Sequence, residues 1–335
     1  MSILVTGGAG YIGSHTVKTL RDAGRDVVVF DNLSAGHQAA ARLAGAPLEL
    51  GDIRDSARLR EVMTAHGVDA VMHFAASLSV SDSVKDPIGY YDNNVGGALA
   101  VLRAMAEAGV KHLIFSSTAA TFGNPVETPI TERHPQRPIN AYGETKLAIE
   151  RALPHFETAY GMKSAVLRYF NAAGADPDGK LGEDHHPETH MLPRAIDAAL
   201  GRDSVSIFGT DYETPDGTCL RDYIHVSDLA LAHVLALESL RGGGPSSSFN
   251  LGNGTPVSVR EVIDCVARVT GRTVPVTEGP RRPGDPAVLF ASSDKIKREL
   301  GWTPRFERLD VIVETAWRWR EKHPHGYGDG SGEGN

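Results

Sequence analysis

Cysteine is scarce in this chain. Cys219 and Cys265 are the only two among 335 residues, too few for a disulfide framework and in keeping with reduced thiols in a cytosolic protein. Long hydrophobic runs are also missing. No stretch approaches the ~18 uncharged apolar residues of a membrane-spanning helix. The N-terminus enters Ile3-Leu4-Val5 directly, without the basic and apolar regions of a secretory signal. Positive charge is not clustered, and the formal net charge is −8, so there is no electrostatic footprint for nucleic acid. A soluble, cytoplasmic protein that binds neither nucleic acid nor membrane is expected. What remains is ordinary for a globular enzyme: 41% hydrophobic and 23% charged residues, in a chain long enough to bury a large core.

Strand-like and helix-like segments alternate along the first half. Ile3-Leu4-Val5 reads as a buried strand ending in the turn Thr6-Gly7-Gly8, and Tyr11 to Ala23 carries helical spacing through Ile12, Val17 and Leu20. Val27 to Phe30 is the next strand, ending at Asp31. A short strand near Leu48–Leu50, a helix from about Asp55 to His66 and a strand Ala70 to Phe74 follow. A long helix reaching Ala108 and a strand His112 to Phe115 continue the alternation. Such alternation predicts an α/β fold with a Rossmann-type, doubly wound parallel sheet. After about residue 170 the pattern loosens into Gly, Pro, His and Asp between Gly174 and Pro193. Residues 1–170 are read as the dinucleotide-binding domain and 171–327 as a smaller C-terminal α/β substrate lobe. The helix Ser227 to Leu240 is apolar enough to return to the main sheet. The polar, glycine-rich end, 328–335, is read as disordered.

Gly7, Gly10 and Gly13 follow a strand and open a helix, as a dinucleotide fingerprint requires. They allow a tight turn, close backbone approach to a pyrophosphate and packing of helix on strand, with the positive helix end facing the phosphates. Asp31, at the end of the second strand, can accept hydrogen bonds from ribose hydroxyls and repel a 2′-phosphate, which selects NAD over NADP. Asp52-Ile53, just past the third strand, lies where an adenine ring would sit; an ordinary surface turn fits its spacing as well. In the run A-Y-G-E-T-K-L, Tyr142 and Lys146 are four residues apart and share a helix face. A phenol ionises near pH 10, and an adjacent ammonium favours the phenolate. Alone the pair reads equally well as two ordinary helix residues; beside the glycine turn it becomes a hydride-transfer site.

The G-x-x-G-x-x-G spacing together with Y-G-E-T-K resembles the extended short-chain dehydrogenase/reductase family. The resemblance runs through His73–Ala76, Tyr90–Val95, Phe115–Thr118, Leu167–Asn171 and Asp216–Val226. With R-R-P-G-D at Arg281–Asp285, it is most similar to the UDP-glucose 4-epimerases within that family. It implies an acid/base Tyr142, a Lys146 that holds the nicotinamide ribose, and a Thr118 that hydrogen-bonds the reacting hydroxyl. The NAD site implied contains Gly7, Gly10, Tyr11, Ile12 and Gly13, then Asp31, Asn32, Asp52 and Ile53. Phe74, Ala75, Ala76, Asn93, Ser116 and Phe170 complete it. Asn171, Arg221, Arg282 and Asp285 would grip the UDP part of the substrate, as bidentate guanidinium suits a diphosphate. Phe208 joins them, and His190 and Met191 fall on a loop across the sugar nucleotide. Leu78 replaces a lysine or other polar residue of many relatives, and Leu289 stands where bulk would set sugar size.

The resemblance implies transient oxidation of the sugar at C4, rotation of the 4-keto sugar and reduction on its other face. Tyr142 moves the hydroxyl proton. Sugar-nucleotide dehydratases and decarboxylases share the oxidation but need further acid/base side chains after the Ser/Thr; here Ala119-Ala120 supply none. Glucose/galactose is the leading sugar pair, with xylose/arabinose and the uronate pair as alternatives. A non-catalytic NAD sensor is disfavoured by retention of Tyr142 and Lys146, and an NADPH-dependent reductase by Asp31. Glu183, Asp184, His185 and His186, with Glu188 and His190, could suggest a metal site, but the run is irregular and lies in the substrate-lobe loop, and since the chemistry needs no metal, none is expected. The resemblance implies a homodimer in which the helices Asp82–Ala108 and Ala141–Tyr160 pack as a four-helix interface.

Overall fold

In the computed structural model, residues 2–282 and 285–328 are described; the tail expectation for 329–335 lies outside them. Strands β1 (Ser2–Thr6), β2 (Asp26–Asp31), β3 (Leu48–Leu50), β4 (Val68–His73), β5 (His112–Ser116) and β6 (Lys163–Tyr169) line up with the strand Ser247–Leu251. They form one parallel seven-stranded sheet, ordered Ser247–Leu251, β6, β5, β4, β1, β2, β3. The order reverses between β1 and β4. At such a switch point the crossover helices leave to opposite faces and open a crevice at the carboxyl ends of the strands.

Runs such as S-I-L-V-T and D-V-V-V-F-D are continuously apolar because helices cover both faces of the sheet. Successive side chains alternate sides. Ile3, Val5, Val27 and Val29 face helices Tyr11–Asp22 and Val226–Arg241 through Val17, Leu20, Leu229 and Leu237. Leu4, Val28 and Phe30 face helices Ser56–Ala65, Gly97–Ala108 and Ala141–Tyr160 through Leu59, Val62, Leu102 and Leu153. A third core, around Leu192, Ile196, Val262, Val266, Ile312 and Trp317, joins helices Met191–Ala199, Val259–Thr270 and Leu309–Lys322.

One element departs from the sequence reading. The long helix to Ala108 is broken into Val80–Lys85, Pro87–Tyr90, a π-helical turn Tyr91–Gly96, and Gly97–Ala108. Pro87 disfavours helical geometry at the residue before it. Asp86 accordingly takes φ −129° and ψ 70°, and its carboxylate caps the next segment at the Gly89 N–H, 3.0 Å away. The π-turn carries Asn93 and Asn94 toward the crevice, in keeping with the frequent placement of such turns at functional sites.

The chain after residue 170 rebuilds part of the first core. Helix Val226–Arg241 packs on Tyr11–Asp22, and Trp302, 1% exposed, joins the same cluster. Its indole Nε1 donates to the Asp228 carbonyl at 2.9 Å, while the Asp228 carboxylate accepts the N–H groups of Arg305 and Phe306, both at 2.8 Å. Truncating this indole leaves a cavity beneath the sheet. Trp302→Ala is expected to lower the unfolding free energy by about 3–5 kcal/mol, read as a fall in the urea midpoint at unchanged slope.

Candidate active site

The glycine turn is set by close backbone approach. Gly7 has φ +73°, and a Cβ there would lie 2.5 Å from the Ala75 nitrogen, where the chain leaving β4 crosses the turn. A Cβ on Gly13 would lie 2.1 Å from the Gly7 carbonyl oxygen, so helix Tyr11–Asp22 can sit against the turn only with glycine at that position. Gly10 is different: a Cβ would meet only the Gly7 oxygen, at 3.3 Å, so the space above it is open. Gly10 is the N-cap residue, and no side chain caps this helix. A pyrophosphate fits there, held by first-turn N–H groups and the helix dipole.

Asp31 is buried and held against the same turn. Its Oδ2 accepts the Ala9 N–H at 3.0 Å and its Oδ1 the Leu33 N–H at 2.8 Å. Each oxygen keeps acceptor capacity for a ribose hydroxyl. Burial pushes its carboxyl above the usual range, against those N–H donors. Leu33 follows at φ 59°, the only non-glycine residue with positive φ among the described residues, a strained conformation of the kind that gathers at ligand sites. Asn32 turns its Oδ1 to the Ser34 N–H, and Asp52 is ion-paired with Arg54 at 2.6 Å, which holds its carboxyl down at about 2. Ile53 is 5% exposed and packs beneath Gly97 as part of the core. Together, the open turn and the Asp31 acceptor fit NAD.

Tyr142 and Lys146 project from the first turns of helix Ala141–Tyr160, capped by Asn140, whose side chain accepts the Gly143 N–H. Lys146 is 4% exposed. Its Nζ donates to the Ser116 carbonyl at the end of β5, at 2.8 Å, and lies 5.1 Å from the Phe115 ring centroid. Burial lowers its ammonium to about 8, opposed by the Glu150 carboxylate. Burial also pushes the Tyr142 phenol up to about 12, opposed by a hydrogen bond with the Thr118 hydroxyl. Thr118, Tyr142 and Lys146 thus meet at the carboxyl end of β5. Thr118 caps the short turn Ala119–Thr121, in which Ala119 is buried.

Two supporting residues escaped the sequence reading. Glu150, a further four positions along, completes the Tyr142/Lys146 face; its carboxylate accepts Arg168 Nη2 at 2.6 Å and Gln136 Nε2 at 2.8 Å, and Ser117 Oγ. Its spacing from Lys146 was the available signal. Asn94, 4% exposed, accepts the Ser77 N–H at 2.8 Å and donates to Thr145 Oγ1 at 3.1 Å, tying the crevice floor to the catalytic helix. Asn93 beside it reaches Ser77 Oγ at 3.2 Å. Nothing in N-N separates the two residues before the fold does. Phe74 and Ala75 donate their N–H groups to the Thr6 carbonyl, with Ala76 next in the same crossing, and Ser116 Oγ bonds the Tyr169 hydroxyl.

The residues expected on the substrate side include two arginines, each with its own partner. Arg221 Nη2 donates to Asp285 at 2.5 Å and its Nη1 to the Leu220 and Pro286 carbonyls, both at 2.8 Å. Arg282 lies 3.8 Å above the Phe208 ring centroid. Asp285 and Phe208 therefore orient the two guanidinium groups. Asn171 donates to the Asp222 carbonyl at 2.9 Å. Asp222, 1% exposed and absent from the sequence reading, receives the N–H groups of Asn253, Gly254 and Ala291, which fastens two loops to this face. Leu289 and Phe170 pack on Ala119, Phe122 and Ile130, next to the Thr118 turn. His190 is the N-cap residue of helix Met191–Ala199 without capping it through its side chain, whose Nδ1 is engaged by Glu183 and Glu188, both at 2.9 Å.

Lys146 has a measurable consequence for stability. Its folded value of about 8 lies below the ordinary 10.5, so between these limits the unfolded chain binds more protons than the folded one. Stability contributed through this group is lowest below pH 8 and rises as pH climbs toward 10.5. Relative to Lys146→Met, the cofactor-free protein is expected to gain about 3 kcal/mol over that window, measured by urea unfolding at a series of pH values. A constant difference across the window would contradict the buried ammonium.

Comparison with known proteins agrees with this geometry. The NAD dependent epimerase/dehydratase family matches residues 3–252. A UDP-glucose 4-epimerase of Halalkalibacterium halodurans is 55% identical over 318 residues, covering 95% of each chain. The crystal structure of UDP-glucose 4-epimerase from Brucella ovis in complex with NAD superposes with a TM-score of 0.92, at 51% identity over 94% of this chain and 97% of that one. The Bifidobacterium longum enzyme in complex with NAD+ and UDP gives a TM-score of 0.91, at 38% identity over 97% and 100%. With the glycine turn, the acidic end of β2 and the Tyr/Lys helix face in their places, the chain belongs to the NAD-dependent epimerase/dehydratase family.

Proposed function

We propose that this protein inverts C4 of a UDP-sugar, interconverting UDP-glucose and UDP-galactose, with NAD as a resident cofactor. The observation that carries this reading is the meeting of Thr118, Tyr142 and Lys146 beside an open glycine turn, followed by alanines at 119 and 120. When bound, NAD supplies a reversible hydride acceptor for C4. Tyr142 takes the C4 hydroxyl proton and later returns it, and Thr118 hydrogen-bonds that hydroxyl. Lys146, on the same helix face, favours the phenolate by its charge, which the raised phenol requires. Ala119 and Ala120 hold no group that could expel or donate water, so the 4-keto sugar is returned to alcohol instead of dehydrated.

Arg221 and Arg282 suit the diphosphate, and their pairing with Asp285 and Phe208 holds them ready before substrate arrives. Gripping the nucleotide firmly and the hexose loosely lets the keto sugar turn while it stays captive. Leu289, branched and without a hydrogen-bonding group, favours the plain hexose over its N-acetylated analogue, whose amide would be buried unpaired at about 1–3 kcal/mol. Residues 1–170 with the returning segments around 226–251 form the cofactor lobe, and most of 171–327 the sugar-nucleotide lobe. A homodimer is supported by Val80, Val84, Ile88, Tyr91 and Leu99, large apolar side chains left exposed beside helix Ala141–Tyr160. Sedimentation velocity is expected to give twice the chain mass; a monomer at micromolar concentration would count against it.

Incubated with UDP-galactose and no added cofactor, the purified protein is expected to form UDP-glucose, and to turn over UDP-N-acetylgalactosamine poorly. Tyr142→Phe should lower turnover by at least about 10²-fold while UDP binding persists. Stoichiometric NADH, a 4-keto-6-deoxy product, or preference for UDP-arabinose or UDP-galacturonate would each replace this reading with another.

A further inference from the structure

Glu183, His185, Glu188 and His190 look irregular in sequence, yet the fold brings one donor atom from each to within 4.8 Å of the other three. His190 Nδ1 is 2.9 Å from Glu183 Oε1 and 2.9 Å from Glu188 Oε1. His185 Nδ1 is 3.2 Å from Glu183 Oε1 and 3.6 Å from Glu188 Oε2. Metal–nitrogen and metal–oxygen bonds of about 2.0–2.2 Å in a tetrahedron place neighbouring donors roughly 3.3–3.6 Å apart. The four observed separations, with Glu188 Oε1 toward His190 and Oε2 toward His185, run from 2.9 to 3.6 Å, near those edges. We propose that these four side chains form a structural site for one divalent ion of the zinc class.

Three observations beyond the spacing support this. First, His185 Nδ1 is buried and has no hydrogen-bond partner, although two carboxylates flank it. A lone pair aimed at a shared centre explains that geometry better than a donor aimed at either oxygen. Second, Glu188 is already oriented: its Oε1 accepts the N–H groups of Thr189 and His190, both at 2.7 Å, leaving Oε2 toward His185. Such anchoring of a ligand by a second contact is what a metal site needs. Third, the side chains of Glu183 and Glu188 are only 8% and 14% exposed. Two neutral imidazoles and two carboxylates balance the charge of a divalent ion with none left over. The mixed nitrogen and oxygen donor set suits zinc, and four protein ligands leave no open position, which marks a structural site and not a catalytic one.

The location gives the ion a task. The Tyr11 ring stands edge-on to His185 at 6.3 Å, and its hydroxyl donates to the Gly174 carbonyl at 2.6 Å. Tyr11 opens the helix that faces the cofactor phosphates, and His190 is the N-cap residue of helix Met191–Ala199. An ion held here would fasten loop 183–190 beside the first turn of helix Tyr11–Asp22 and the start of helix Met191–Ala199. The site itself stands whether or not the assigned reaction does.

The test uses untagged full-length protein with its NAD, stripped with chelator and then titrated with Co²⁺ alone. Expected are about one equivalent bound and the visible absorption of tetrahedral Co²⁺, abolished by one equivalent of Zn²⁺. In Glu183→Gln the affinity should fall at least about tenfold. Should that variant not fold, the unmodified protein decides by its stoichiometry and spectrum. No tight binding, an octahedral spectrum, or unchanged affinity in Glu183→Gln would show that two imidazolium–carboxylate pairs hold the loop, and would overturn the proposal.

Discussion

A lysine ammonium held almost entirely out of water organises the reacting end of this protein. Lys146 has the Ser116 carbonyl as its hydrogen-bond acceptor and Phe115 beneath it. An isolated buried ammonium would lose its proton; this one is only partly depressed because Glu150 stands one turn further along. Glu150 in turn is tied by Arg168 from β6 and by Gln136. One helix face therefore carries the phenol, the cation proposed to favour its ionisation and the anion that keeps the cation charged. The end of β5 and the end of β6 hold that face in register. The cost of burying Lys146 is borne by the whole domain, as expected of a site where reactivity and stability oppose one another.

The second constraint is steric. Gly7, Gly13 and the crossing at Phe74-Ala75 pack backbone on backbone, closer than any side chain would allow. That packing sets the turn at the switch point between β1 and β4, which opens the crevice. Asp31 is braced by Ala9 from the same turn, so the carboxylate proposed to read the ribose and the open glycine turn are held as one unit. On the opposite wall, Asp222 does similar work for the sugar-nucleotide side by collecting three loop N–H groups. Each wall is fixed by a buried carboxylate accepting backbone donors, which places the arginines and the phenol without requiring them to hold the scaffold.

Much of this was legible because it follows from local rules. Strand and helix order in the first 170 residues, the glycine turn, Asp31 and the Tyr142/Lys146 face all rest on short-range periodicity and steric need. The long helix before Ala108 failed where a local signal, Asp86-Pro87, was overruled by the surrounding apolar pattern. Glu150 was overlooked although its spacing from Lys146 was visible, whereas Asn94 and Asp222 were missed for a different reason. These two act through partners 17 to 69 positions away, and no single-sequence pattern carries such pairings.

The sequence by itself determined the class of fold and the NAD cofactor, through the alternation of strands and helices, the glycine turn and Asp31, and it placed Tyr142 and Lys146 on one helix face, because each of these signals is local to a strand end or a turn of helix. Only the tertiary structure decided which asparagine faces the catalytic helix and how Asp285 and Phe208 serve the two arginines. It also decided that Glu183, His185, Glu188 and His190 converge on one point. Those outcomes depend on loops folding across the sheet, where distance in space has no counterpart in distance along the chain.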